Sequence, residues 1–257
     1  MIAFVGAGPG AEDLITVRGQ RYLKEADVII YAGSLVNPRL LDVKKEGCEV
    51  YNSAYMTLEE VMEVMIVGEH AGKKVVRLHT GDPCLYGAIR EQMDLLDKEQ
   101  IAYEDCPGVS SFCGAAAALK AEYTLPDVSQ SVVITRMAGR TPVPERESIR
   151  SFAQHQATMV VFLSTGMLDK LQEELQAGGY PADTPAAIVY KATWPEEKVL
   201  HCQVSSLAQC AAEAGVTKTA LIIVGRILGE EYERSLLYHP EFTTEFRQGR
   251  REEKSHE

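Results

Sequence analysis

A chain of 257 residues, 46% hydrophobic and 25% charged, has the make-up of an ordinary globular protein, which excludes fibrous, collagen-like and wholly disordered classes. Its length is enough for one large domain or two of about 100 to 150 residues, either of which buries a sizeable core. With 26 Lys+Arg against 37 Asp+Glu the formal charge is −11, so neither nucleic acid nor an anionic membrane is expected as a partner, and any anionic substrate needs a local exception.

The start of the chain, MIAFVGAGPG, has no basic stretch ahead of its five apolar residues, so it is read as a buried strand over 2–5 and not as a signal peptide. No window approaches the roughly 18 apolar residues of a membrane span. Thr16 is expected to cap a helix reaching about residue 25, followed by a strand over 28–31. Thr57 and Glu60 have capping-box spacing and open a helix to about residue 70. A strand over 74–79, a helix over about 86–98, a strand over 102–105 and a helix of small residues over 112–121 complete a βα rhythm. Leu125-Pro126-Asp127 then breaks the periodicity, and 122–130 reads as a linker.

The rhythm restarts with strands expected over 132–135, 159–163, 186–190, 198–203 and 220–224, with helices between several of them. The fold class is therefore α/β: two α/β domains, 1–121 and 131–229, with mostly parallel sheets and a ligand cleft between them. Residues 230–257 form a polar tail that ends FRQGRREEKSHE and is expected to fray. Six cysteines (Cys48, Cys84, Cys106, Cys113, Cys202, Cys210) show no CxxC pair and no zinc spacing, so free thiols in a cytoplasmic protein and no metal site are expected.

Three loops at strand ends carry the chemistry. Gly6-Ala7-Gly8-Pro9-Gly10 permits positive φ and close backbone approach, either to a ligand or as a bare turn. Gly6-x-Gly8-x-x-Ala11 also fits a relaxed dinucleotide fingerprint, but Pro9 lacks an N–H, and Asp27 precedes the second strand where a ribose-binding acid should end it. In Thr80-Gly81-Asp82-Pro83, Asp82 lies at the carboxyl edge of a sheet and either accepts hydrogen bonds from a ligand or caps its own turn. Tyr86 lines a cleft or packs in the core. In Pro107-Gly108-Val109-Ser110-Ser111-Phe112, Ser110 or Ser111 caps the small-residue helix, which admits close packing of a ligand or of the sheet. His79 ends a strand beside these loops, with a substrate contact or simple packing as its alternatives, and Trp194 either borders the cleft or packs. There is no Ser/His/Asp arrangement, no HExxH and no Walker loop, and no catalytic acid or base is assigned.

In order, GAGPG, GDPCLYG and PGVSSFCGAAAAL resemble the tetrapyrrole (corrin and porphyrin) methyltransferase family over about residues 1–230. YAGSLVNPRLL and ITRMAGRTPVPE are similar to members of it that methylate C11 of precorrin-4 or cobalt-precorrin-4 in cobalamin synthesis. The resemblance implies the class III methyltransferase fold, S-adenosylmethionine as methyl donor with S-adenosylhomocysteine as product, a corrinoid substrate and a homodimer. It places Pro9, Thr80, Gly81, Asp82, Leu85, Ser110 and Ser111 of the first domain at the cofactor, with Leu163, Ser164, Ala192, Ala220 and Leu221 of the second. Ser164 and Ala192 depart from the Met and Gly that many relatives carry there.

The segment TRMAGRTPVPERESIR concentrates Arg136, Arg140, Arg146 and Arg150. Arginine forks suit the acetate and propionate carboxylates of a precorrin, and this cluster can supply positive potential on an acidic protein. Glu145 and Glu147 offset part of it, which leaves a solvated loop as the alternative and Arg136 and Arg140 as the favoured contacts, with Tyr86 and His79 beside them. The competing functions are a dinucleotide-dependent oxidoreductase, a non-catalytic adenosylmethionine-binding protein, and methylation at another corrinoid or uroporphyrinogen carbon.

Overall fold

The computed structural model describes residues 1–250; the end of the polar tail, 251–257, lies outside the described residues. The chain forms two compact units, one built from Met1–Leu119 with Val189–Lys198, the other from Lys120–Ile188 and the residues from Val199 onward.

The first unit holds the strands β1 (Ile2–Gly6), β2 (Val28–Tyr31), β3 (Glu49–Asn52), β4 (Val75–His79) and β5 (Tyr103–Cys106) in the order β3-β2-β4-β1-β5. Every pairing in this sheet is parallel. All five residues of β1, a continuous apolar run, and of β4, which also buries Arg77 and His79, are covered, as strands of a parallel sheet with both faces packed should be. Its helices are α1 (Val17–Glu25), α2 (Leu58–His70), α3 (Arg90–Lys98) and α4 (Ser111–Leu119). Thr16 Oγ1 accepts the N–H of Gly19 at the start of α1, and Thr57 with Glu60 forms the reciprocal capping box of α2.

One apolar layer gathers Val5, Leu23, Ile29, Val76 and Leu78; the other gathers Phe4, Ile30, Met65, Val75 and Leu96. The order places β1 between β4 and β5, so the carboxyl ends of three parallel strands share one edge of the sheet. Two details depart from the sequence expectation. β3 has no buried run, because its residues are exposed or half-buried, and so it gives no apolar signal. α3 starts at Arg90 and not near 86, because Tyr86 and Ala88 adopt φ of 58° and 50°, which no helix accommodates.

The second unit holds β6 (Val132–Arg136), β7 (Thr158–Phe162), β8 (Pro185–Tyr190), β9 (Lys198–Gln203) and β10 (Ala220–Val224) in the order β6-β7-β10-β8-β9. Its helices are α5 (Ile149–Ala153), α6 (Leu168–Ala177) and α7 (Leu207–Glu213). β6 runs parallel to β7, whereas β10 runs antiparallel to it, so this sheet is mixed. Met159, Val160, Val161, Ile222 and Ile223 form its buried centre. The stretch 122–130 is tied into this unit, since Thr158 donates its hydroxyl to Tyr123 O at 2.8 Å and its N–H to Ser129 Oγ at 2.9 Å. Among the described residues, no helix is long and apolar enough to cross a membrane.

Candidate functional site

In the first unit, the turns that follow β1, β4 and β5 meet backbone to backbone. Gly8 and Gly81 form an antiparallel bridge, with Gly8 N–H donating to Gly81 O at 3.2 Å and Gly81 N–H to Gly8 O at 2.9 Å. A Cβ on Gly6 would lie 2.5 Å from Gly108 Cα, and one on Gly108 would lie 2.3 Å from Gly81 O. Only glycine permits this approach, which makes the three loops one rigid edge.

Asp82 latches two of these loops. Its Oδ1 accepts the N–H of Cys84 at 2.8 Å and its Oδ2 accepts the N–H of Gly108 at 2.8 Å. Burial alone raises its pKa, but the bonds from Cys84 and Gly108 outweigh that and hold the carboxyl below its ordinary value. The charge is felt nearby: burial first and Asp82 second push the carboxyl of Asp105 up, and the hydrogen bond to Asp82, with burial, lifts the Cys84 thiol to about 11. The loop edge is therefore acidic.

Most donors of the first glycine loop are committed. Ala7 N–H donates to His79 O at 2.7 Å, Gly8 N–H to Gly81 O, and Ala11 N–H to Thr193 Oγ1 at 2.9 Å, while Pro9 has none to offer. Its carbonyls are held as well, Pro9 O by Trp194 Nε1–H at 3.2 Å and Gly10 O by Asn37 Nδ2–H at 2.8 Å. Little remains for a pyrophosphate, which counts against the dinucleotide reading. Asn37, Thr193 and Trp194 thus position the loop. Sequence reasoning gave Asn37 and Thr193 no role, because their partners lie 27 and 182 residues away.

Around this edge, Thr80 donates its hydroxyl to Leu35 O, and Leu85 donates its N–H to Asp82 O at 3.3 Å. Ser110 is buried and opens α4 through its carbonyl, which accepts from Cys113 N–H at 3.0 Å; Ser111 is the first helical residue. Tyr86 lies half-exposed on the turn that its positive φ creates. Ala192 is buried in the segment Val189–Lys198, which belongs to this unit. It was expected in the second domain from its place in the chain; the chain instead returns to the first unit there, with Thr193 and Trp194 on the glycine loop. His79 is 3% exposed and points into the core, stacked on Phe4 with ring centroids 6.2 Å apart. Burial, and then the charge of Arg77, push its pKa down to about 3.

The second unit assembles its own group. Phe162 sits opposite Arg136 in the parallel pair, and Val161 opposite Ile222 in the antiparallel one. The end of β7 therefore lies beside the end of β6 and the start of β10, and this brings Arg136, Leu163, Ser164, Ala220 and Leu221 to one edge. Leu163 is exposed with φ of 52°, whereas Ser164, Ala220 and Leu221 are buried. Ser164 Oγ accepts Met137 N–H at 2.9 Å, and Thr165 donates its hydroxyl to Ala220 O at 3.1 Å.

The four arginines are not equivalent. Arg150 forms a fork with Glu174 at 3.0 and 3.1 Å, and Arg146 pairs with Glu147 at 3.5 Å. Arg136 donates to three carbonyls of its own loop, Met137 O, Thr141 O and Pro142 O. Arg140 is exposed.

Residues 1–208 match the description of the Tetrapyrrole (Corrin/Porphyrin) Methylases. The chain is 53% identical over 247 residues to the cobalt-precorrin-4 C(11)-methyltransferase of Methanocaldococcus jannaschii, across 96% of this chain and 95% of that protein. Among solved structures, a cobalt precorrin-4 methyltransferase of cobalamin biosynthesis superposes with a TM-score of 0.87 at 46% identity, covering 89% of this chain and 96% of that one. A uroporphyrin-III C-methyltransferase of Thermus thermophilus, complexed with S-adenosylhomocysteine, gives 0.73 at 27% identity, covering 89% and 93%. With a family match that spans most of its length, loops of the expected order brought to one strand edge, and relatives aligned end to end, the chain belongs to the tetrapyrrole (corrin/porphyrin) methylases.

Proposed function

We propose that this chain is an S-adenosylmethionine-dependent C-methyltransferase that methylates C11 of precorrin-4 or cobalt-precorrin-4 in cobalamin biosynthesis. The observation that carries this reading is its end-to-end similarity, at 53% identity, to a relative that bears that name.

The residues of the first unit fit the methyl donor. S-adenosylmethionine carries a sulfonium and an ammonium but no phosphate. An acidic edge built around Asp82 and Asp105 favours those cations, and a glycine loop with few spare N–H groups is no handicap for a ligand that has no pyrophosphate. Gly81, Asp82, Leu85, Ser110 and Ser111, with Pro9, Thr80 and Ala192, are its candidate contacts in this unit, and Leu163, Ser164, Ala220 and Leu221 are the candidates that the family resemblance names in the second. When bound, it supplies an electrophilic methyl group and leaves as S-adenosylhomocysteine.

The tasks left to the protein are orientation and exclusion of water around an electron-rich ring carbon and the methyl that it attacks. The glycine node fixes the loop edge, and the Asp82 latch keeps the β4 and β5 turns in register. No side chain of the chain needs to become covalently attached. The carboxylates of the tetrapyrrole require positive partners, and the Arg136 to Arg150 segment provides them locally on a chain of net charge −11. A homodimer in the cytoplasm completes the proposal; six cysteines, all free, support a reducing compartment.

Incubation with S-adenosylmethionine and precorrin-4, and in parallel cobalt-precorrin-4, followed by mass and NMR location of the new methyl, tests this directly. Methylation at another carbon, or no turnover with either substrate, would overturn it. Calorimetry with adenosylmethionine and NADH separates the oxidoreductase alternative, and sedimentation velocity reads the dimer.

A further inference from the structure

The loop that follows β6 carries two arginines with different partners. We infer that Arg136 is a positioning residue, which shapes residues 137–142 so that Arg140 is presented as the specificity-determining contact for a tetrapyrrole carboxylate. This inference rests on the tetrapyrrole reading above and names the residue that recognises the substrate's acidic periphery.

Two anchors define the loop. At its root, Met137 is 4% exposed and donates its N–H to Ser164 Oγ, which in turn donates to Phe162 O at 2.6 Å. Over the loop, Arg136 Nη1 donates to Met137 O and Thr141 O, both at 3.2 Å, and Nη2 donates to Pro142 O at 2.8 Å. Gly139 N–H closes the turn on Thr141 O at 3.2 Å. A planar fork reaches three carbonyls at once in a fixed geometry, which a lysine ammonium on a flexible stem does not reproduce.

Those bonds all go to carbonyls, so the charge of Arg136 is not neutralised by a carboxylate. Arg150 and Arg146, by contrast, each face a glutamate. Arg140 lies on the exposed turn between Gly139 and Thr141, and among the described residues it makes no hydrogen bond and no ion pair. The segment therefore contains one arginine that holds the loop and one exposed arginine whose five donors are uncommitted, with the first adding its positive field to the second. A bidentate contact to an acetate or propionate is the chemistry that such a group supports.

The test is fluorescence titration of the full chain with uroporphyrin III, a stable tetrapyrrole polycarboxylate, at several salt concentrations. Adenosylmethionine calorimetry and hydrogen exchange of the peptide over 137–143 are run in parallel. Arg140→Ala should weaken porphyrin binding about tenfold and flatten its salt dependence, with Arg140→Lys restoring the salt dependence but only part of the affinity, because a point charge lacks the bidentate fork, and loop exchange unchanged in both. Arg136→Lys should behave like Arg136→Ala: faster exchange over 137–143 and weaker porphyrin binding, with adenosylmethionine affinity intact.

Unchanged porphyrin affinity in Arg140→Ala, in a protein that still binds adenosylmethionine, overturns the inference and leaves the proposed function standing. Full porphyrin binding and native exchange in Arg136→Lys would show that charge alone suffices, and this also overturns it. Failure of the wild-type chain to bind adenosylmethionine overturns the function itself.

Discussion

Asp82 Oδ2 accepts the backbone N–H of Gly108 at 2.8 Å, a bond that joins the turn after β4 to the turn after β5 across 26 residues of chain. Its other oxygen closes the local turn on Cys84, so one carboxylate both shapes its own loop and fixes the next. Asp82→Ala removes two charge-assisted bonds, each worth roughly 1.5–3 kcal/mol. A tenfold to hundredfold loss of adenosylmethionine affinity is expected by calorimetry, with Asp82→Asn in between because it keeps one acceptor. Affinity unchanged in Asp82→Ala would remove it from the cofactor edge. The sign in pH follows from its lowered pKa: the stabilisation is full above the unfolded carboxylate value and is lost as pH falls through the lower folded value.

The glycine node sets a steric limit that can be measured. A Cβ on Gly108 would meet Gly81 O at 2.3 Å and Gly6 Cα at 2.7 Å, all backbone, with no flexible side chain to yield. Gly108→Ala should cost about 2–3 kcal/mol in urea denaturation and weaken the cofactor site. Gly166→Ala serves as its control, because a Cβ there meets nothing within 4 Å, and it should leave the transition within about 0.5 kcal/mol.

His79 gives the fold a pH dependence of its own. Its folded pKa, about 3, lies below the unfolded value near 6.5, so the unfolded chain binds the extra proton between those limits. Stability contributed by keeping the ring neutral is full above pH 6.5 and falls progressively as pH drops towards 3, a loss of about 2 kcal/mol at pH 5. His79→Leu should flatten that part of the stability profile even if it lowers the plateau. A wild-type denaturation midpoint that is constant from pH 7 to 5 would show that the ring is not buried neutral.

Trp194 is the only tryptophan and donates to Pro9 O, so its emission reports on the first glycine loop without interference. Saturating adenosylmethionine should shift its emission, and Trp194→Phe should lower cofactor affinity severalfold through the lost bond at Pro9. Emission insensitive to a bound cofactor, confirmed by calorimetry, would separate the loop from the site.

Arg150→Ala should cost no more than about 1 kcal/mol, because the arginine of its fork with Glu174 is 56% exposed and is screened by solvent. It should also leave tetrapyrrole affinity as it is, in contrast to Arg140→Ala. A loss as large as that of Arg140→Ala would mean that the whole arginine segment acts as a diffuse field.

What could be read from the sequence follows a physical line. β1 and β10 announce themselves as apolar runs because both of their faces are covered, and Thr57 with Glu60 marks α2 through local spacing alone. β3 escaped because an edge strand with exposed residues has no such run. The three glycine loops were legible as turns, but not the latch between Asp82 and Gly108, which depends on strand order. Strand parity would have placed His79 better: Val75, Arg77 and His79 share a face, and Val75 belongs to the layer that contains Phe4. Nothing in the residue types tells that three carbonyls occupy Arg136 while Arg140 stays open.

The return of Val189–Lys198 to the first unit also governs how the protein must be made. A nascent chain released at residue 130 has all five strands of the parallel sheet but lacks Thr193 and Trp194, the groups that brace its glycine loop. The ribosome therefore completes the amino-terminal sheet long before it completes the amino-terminal site, and a fragment ending between the two units should fold with its ligand edge unbraced. Bracing of the first glycine loop waits on synthesis of most of the other half.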